Sequence, residues 1–131
     1  MPGLSDYLEN SVCSWLKGTQ MPTPPTTLYV GLFNGDPTDT GTGGTEVTTS
    51  IRLVGRPTCT FGTVSDGTMS NSAVVDFSLA EGNCTVTHFG IFSANTGGNM
   101  LFSGQITGNT TSITSGTAVT FPVGSLVFNI T

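Results

Sequence analysis

Charge is what this chain has least of. Of 131 residues, 3 are Lys or Arg and 8 are Asp or Glu, 8% in all, with a net charge of −5. That is about a third of the share usual in soluble proteins. The cations are Lys17, Arg52 and Arg56, and none follows Arg56. A nucleic-acid footprint needs clustered Lys and Arg, so nucleic-acid binding is excluded. Adhesion to an anionic membrane is disfavoured for the same reason. Cysteine is also scarce: Cys13, Cys59 and Cys84 are an odd set and no disulfide framework. They read as small buried hydrophobes of a protein assembled in a reducing cytoplasm. Long apolar runs are missing, so no transmembrane helix is expected. The first ten residues lack the basic and apolar regions of a signal peptide.

What is present is Gly (18 residues), much Thr and Ser, and 36% hydrophobic residues in strand-like blocks. Such a composition is not that of a disordered chain. Low charge with abundant Thr and Gly suits a surface covered by neighbouring molecules. The length predicts one chain-wide core with no internal repeat. Residues 1–25 read as an N-terminal helix with a Pro-rich connector, and 26–131 as a β-sandwich domain.

The spacing of Leu4, Tyr7, Leu8, Val12, Trp15 and Leu16 predicts an amphipathic helix over 4–17. Ser5 or Asp6 is suited to cap it, Glu9 completes a capping pattern, and Gly18 stops it. Pro22, Pro24 and Pro25 prevent its continuation. From Thr26 the period changes to two. Strands are expected at 28–33, 46–53, 56–61, 73–77, 85–92, 100–106, 118–121 and 125–130, with a loop over 34–45. About eight short strands at this spacing predict an all-β, antiparallel, jelly-roll-like sandwich with one N-terminal helix.

Chemical motifs are weak. His88, the one histidine, is expected mid-strand on the face of Val86, packed and hydrogen-bonded, with no nucleophile or carboxylate nearby in sequence. Asp36, Asp39 and Glu46 could offer oxygens to calcium, but their spacing is not that of an EF-hand. The competing reading is a loop of Asx-type turns. Gly41-Thr42-Gly43-Gly44 has no following helix or Lys and so is no phosphate cradle. Arg52 and Arg56, four apart, would share a face on a regular strand. They pair either with an acidic partner or with acids of this chain, and both readings stand. The patterns at Asn83, Asn109 and Asn129 match glycosylation acceptors but carry no weight without secretion. A sugar groove over 107–115 has nothing specific in its favour. Neither catalytic nor metal-ligating residues are expected, nor a cofactor.

Several segments together resemble a known family. They are Pro2-Gly3-Leu4-Ser5-Asp6-Tyr7-Leu8-Glu9-Asn10, Pro25-Thr26-Thr27-Leu28-Tyr29-Val30-Gly31-Leu32-Phe33, Asp36-Pro37-Thr38-Asp39 and Gly41-Thr42-Gly43-Gly44-Thr45-Glu46-Val47. Ser70-Asn71-Ser72-Ala73, Thr85-Val86-Thr87-His88-Phe89-Gly90-Ile91-Phe92 and Gly97-Gly98-Asn99-Met100-Leu101-Phe102 continue the pattern. The chain resembles short bacteriophage virion proteins labelled tail-fibre proteins. It departs at Ile51-Arg52-Leu53-Val54, where a Gly-Tyr-Ala-Arg-like stretch is usual. The resemblance implies a non-enzymatic virion component assembled in the host cytoplasm, forming a homotrimer. The first expectation is a capsid decoration, or cement, protein on the major capsid protein. The second is a tail-fibre or tailspike-tip component among tail proteins, touching a host surface glycan. A carbohydrate-binding module is the third, with Tyr29 the one obvious strand aromatic. Leu4, Tyr7, Leu8, Trp15, Arg52 and Arg56 are the candidate docking residues. Asp36, Asp39, Asn95 and Asn99 are the candidate loop contacts.

Overall fold

The computed structural model describes residues 3–106 and 111–130. Among them a six-stranded antiparallel sheet forms one layer. It comprises β1 (Gly3–Leu4), β2 (Leu28–Asn34), β3 (Thr45–Val47), β4 (Thr58–Cys59), β8 (His88–Phe92) and β9 (Met100–Gln105). The order is β1-β9-β8-β2-β3, with β4 sharing the β3 edge of β2. The remaining strands are three two-stranded ribbons: β5 (Thr68–Ser70) with β12 (Val127–Asn129), β6 (Val75–Leu79) with β11 (Ala118–Phe121), and β7 (Cys84–Val86) with β10 (Thr111–Ile113). The architecture is an all-β antiparallel sandwich with one helix, α1 (Asp6–Leu16).

Alternation along the strands builds the core. Val30, Leu32, Phe89, Ile91 and Phe102 of the sheet meet Val75, Phe77, Val86, Ile113, Leu126 and Phe128 of the ribbons, all nearly or fully buried. Phe102 stacks on Phe128 with ring centroids 3.9 Å apart, joining the two layers. Each such side chain contributes roughly 1.5–3 kcal/mol through removal from water. The opposite face of the sheet carries a second cluster of Phe33, Phe92 and Met100. Both faces of β2 are therefore covered, which is why Val30-Gly31-Leu32-Phe33 is buried without interruption.

A row of small residues crosses that outer face. Gly31 is registered with Gly90, Gly90 with Ser103, and Ser103 with Gly3. A Cβ on Gly90 would lie 2.9 Å from the Phe92 ring and 3.2 Å from both the Phe33 ring and the Met100 sulfur. The bare strip thus forms the floor on which these side chains lie.

Several expected elements differ from those observed. Leu4 is not helical: Gly3 and Leu4 pair with Ser103 and Phe102, and α1 begins at Asp6. The reason is the cap. Ser5 Oγ accepts the Leu8 N–H at 3.2 Å, while the Ser5 N–H donates to the Leu101 carbonyl at 2.9 Å. Gly18, at φ 101°, ends the helix as expected. The strand expected over 46–53 stops at Val47, because the Thr48 carbonyl accepts both the Ile51 and Arg52 N–H groups in a turn. That turn drops Ile51 into the core, 3% exposed, and leaves Arg52 and Arg56 on no common strand. The strand expected over 85–92 breaks at Thr87, where β7 leaves for the ribbons and β8 enters the large sheet. Consequently Val86 lies in the core while His88 borders the outer face. β5, β10 and β1 were not legible as strands, and the expected 56–61 strand contracts to Thr58–Cys59.

The three thiols are free. Cys59 is buried as expected, Cys84 is half-buried, and Cys13 stands exposed on α1. Burial pushes the Cys59 thiol from 9.0 up to about 11, and raises that of Cys84. The thiolate is the nucleophile. A maleimide applied to the native protein at neutral pH is therefore expected to label Cys13 quickly and to leave Cys59 intact. Peptide mapping reads the result, and equal labelling of the two would contradict the packing.

Candidate contact surfaces

The helix presents an inverted face. A surface helix ordinarily turns its apolar stripe to the core. In α1 no residue is buried: Leu8, Ser11 and Ser14 face the body half-buried. Tyr7, Val12, Trp15 and Leu16 are 39%, 36%, 57% and 72% exposed. Glu9, Val12 and Leu16 follow one another at spacings of three and four, so a carboxylate flanks the outward apolar stripe. Leu4 lies apart from this face, half-buried against the core through β1.

Arg56 turns inward instead. Its Nε donates to Glu46 Oε2 at 2.7 Å and its Nη2 to Glu46 Oε1 at 2.8 Å, a bidentate pair. Nη1 donates to the Ala94 and Gly97 carbonyls at 2.9 and 2.7 Å. The guanidinium lies 3.5 Å from the Phe92 centroid, above the bare strip. The open choice between an outside partner and an internal acid is settled for Arg56 in favour of Glu46. It follows that Glu46 does not join Asp36 and Asp39 as a calcium ligand.

The segment 93–99 is held by that clamp. The Ser93 N–H donates to the Asn99 carbonyl at 3.1 Å, and the Asn99 N–H returns to Ser93 Oγ at 3.0 Å. The Arg56 N–H donates to the Asn95 carbonyl at 3.0 Å. Asn95 and Asn99 themselves are exposed on this fixed turn.

The loop 34–45 leaves the opposite end of β2, but folds back until Gly41 sits on Met100. Asp36 Oδ1 accepts the Thr38 N–H at 2.8 Å, an Asx-type turn. Asp39 lies with Asp6 and Glu9, three exposed carboxylates with ligand atoms within 4.8 Å of one another. Asp36, Asp39, His88, Ser103 and Gln105 line one polar groove. The strand register sets Gln105 opposite His88 and Ser103 opposite Gly90, which sequence spacing did not show. The His88 Nδ1 is paired with Thr87 Oγ1 at 2.8 Å.

Arg52 borders a cavity of about 260 Å³. Its origin is topological: β3 pairs with β2 from Leu32 onward and β4 pairs at Leu28 and Tyr29, while the chain between them bows outward. Val30, Leu32, Ile51 and Phe77 form apolar walls, with Thr48 and Arg52 at the border. The Arg52 Nη1 donates to the Gly55 carbonyl at 3.0 Å, and the guanidinium is in no ion pair among the described residues. Leu53 and Val54, next to it, are 66% and 71% exposed.

A family model described as Podophage GP4 fiber I protein gp80 matches residues 3–129. The chain belongs to this family. No curated protein matches it. As a gp80-family fibre protein it is a structural component of a phage virion. The family match runs through α1, both layers of the sandwich and every surface described above. Sequence reasoning missed Glu46 and Phe92 as partners of Arg56 in the gp80-family chain. Their signal was present in charge scarcity: with three cations among eight acids, a half-buried arginine has few possible carboxylates. The sugar groove considered over 107–115 and the pattern at Asn109 fall largely outside the described residues, which include only 111–115 of that stretch.

Proposed function

We propose that this protein is a non-enzymatic tail-fibre component that assembles as a homotrimer and touches the host surface, with a surface glycan as ligand. The observation that carries this reading is the clamped 93–99 turn within a chain matched over residues 3–129 by a fibre family. A contact loop fixed before binding loses little entropy on capture, and polar Asn95, Thr96 and Asn99 offer uncharged hydrogen-bonding groups. Three free thiols suit assembly in the host cytoplasm. The engagement of His88 Nδ1 by a threonine, rather than a carboxylate, supports a binding role over catalysis.

Capsid decoration is the second reading. It is favoured by the ribbon layer, where Val74, Leu79, Val123 and Val127 are 42–60% exposed and fit an uncharged docking surface. Cryo-electron microscopy of the intact particle separates the two. Density for the sandwich at the tail supports the fibre role, whereas density on the capsid shell replaces it with the cement role.

A further inference from the structure

We propose that α1 of one copy docks head-to-tail onto the Arg52–Val54 mouth of the cavity of the next, so that the assembly closes as a ring. Two exposed surfaces lack partners among the described residues, and they are complementary. One is acidic and apolar: exposed Val12, Trp15 and Leu16 flanked by the exposed carboxylate of Glu9. The other is apolar and cationic: exposed Leu53 and Val54 beside Arg52, at the mouth of a cavity whose walls Val30, Leu32, Ile51 and Phe77 belong to the buried core and whose further charged lining, Glu46 and Arg56, is paired internally.

Charge narrows the pairing. The chain has three cations. Arg56 is consumed by Glu46, and Lys17 lies at the end of α1 itself. Arg52 is thus the cation available on the sandwich to receive an acidic helix. It keeps guanidinium N–H groups beyond the one given to Gly55. Apolar anchors packed around an arginine that association removes from water are the usual centre of a binding energy hot spot.

Placement permits the contact to propagate. The helix sits by β1 and β9, and the cavity sits by β2 and β3, at opposite edges of one sheet. The edges are on the order of 15–20 Å apart at the usual strand spacing. A helix at one edge cannot cover the cavity mouth at the other within the same copy. Two different patches meeting between copies form a heterologous interface, which closes as a ring when the rotation allows.

This inference rests on the oligomeric reading above, and its test separates the two. Light scattering coupled to gel filtration gives the mass of the wild-type protein and of Arg52→Glu, Glu9→Arg and Leu16→Asp. Each substitution is expected to weaken association at least tenfold, and the Arg52→Glu/Glu9→Arg pair is expected to restore it. Circular dichroism confirms folding. If Arg52→Glu fails to fold, Glu9→Arg and Leu16→Asp, which lie on exposed helix positions, still decide the matter. A wild-type oligomer untouched by those helix substitutions overturns the helix contact and leaves the oligomer standing. Dissociation without rescue by the charge-swapped pair overturns the Glu9–Arg52 pairing. A wild-type monomer at micromolar concentration overturns both.

Discussion

Asn71→Asp is expected to lower the stability sharply at neutral pH, although the two side chains have nearly the same shape. Asn71 is 1% exposed. Its Nδ2 donates to the Ala73 and Pro122 carbonyls, both at 2.9 Å, and its Oδ1 accepts the buried Leu126 N–H at 2.9 Å. Its backbone closes the same joint: the Asn71 N–H donates to the Leu126 carbonyl, and its carbonyl accepts the Gly124 N–H. One residue therefore ties the turn after β5 to the turn between β11 and β12. An aspartate would turn a carboxylate oxygen toward two carbonyl oxygens with no donor between them. The cost is about 3–5 kcal/mol, a large part of the stability of a domain this size. The pH dependence has a definite sign. Burial and facing oxygens hold the new carboxyl above the ordinary aspartate value of about 3.9. The folded form then keeps its proton longer than the unfolded one, so stability declines as pH rises through and above that value. Asn71→Ala is expected to lose about 3 kcal/mol with no such pH dependence. Urea denaturation at pH 4 and pH 7 measures both, and a neutral-pH midpoint for Asn71→Asp equal to the wild type's would refute the account.

Arg56→Ala is expected to lower stability by about 3 kcal/mol and to loosen the 93–99 turn. The Arg56 and Glu46 side chains are 10% and 22% exposed, so removing the guanidinium strands a largely buried carboxylate. It also frees the Ala94 and Gly97 carbonyls and uncovers the Phe92 ring. Arg56→Lys keeps the charge, but an ammonium cannot hold a carboxylate in two parallel bonds while lying flat on a ring. It should lose about 2 kcal/mol. Hydrogen exchange gives the local reading: the Asn99 amide, bonded to Ser93 Oγ, should exchange faster in both variants. Unchanged exchange there would mean that the turn holds itself without the arginine. If the proposed host contact is correct, Arg56→Lys virions adsorb less well even where the protein remains folded.

The fold class was legible because its signals are local. Alternation in Leu28–Asn34 and Met100–Gln105 marked the two long strands, and Ser5 with Gly18 marked both ends of the helix. What escaped was set by contacts distant in sequence. Gly3–Leu4 becomes a strand solely because β9 offers an open edge. Ile51 reads as part of a strand, yet the demand of the core for its side chain bends the chain into a turn. For the surfaces, the apolar stripe holding Tyr7 and Trp15 was legible from periodicity, whereas its outward turn and the fate of the arginines were not. Arg52 and Arg56 look equivalent four residues apart. The turn between them separates one into an internal clamp and the other into the border of a cavity.

The facing pair Gly31 and Gly90 also bears on how β2 finds its place. A slip of one residue would exchange the occupants of the two sides of the strand. Gly31 and Phe33 would move into space shaped for Val30 and Leu32, leaving a void beside Ile91. Branched Val30 and Leu32 would in turn land where the Phe92 ring and Arg56 leave a bare backbone just enough clearance. A wrong alignment is thus penalised twice, by a hole on one side and a collision on the other. A chain nearly without charge has few electrostatic means of rejecting mispaired strands. Here two hydrogen atoms in place of side chains perform that proofreading.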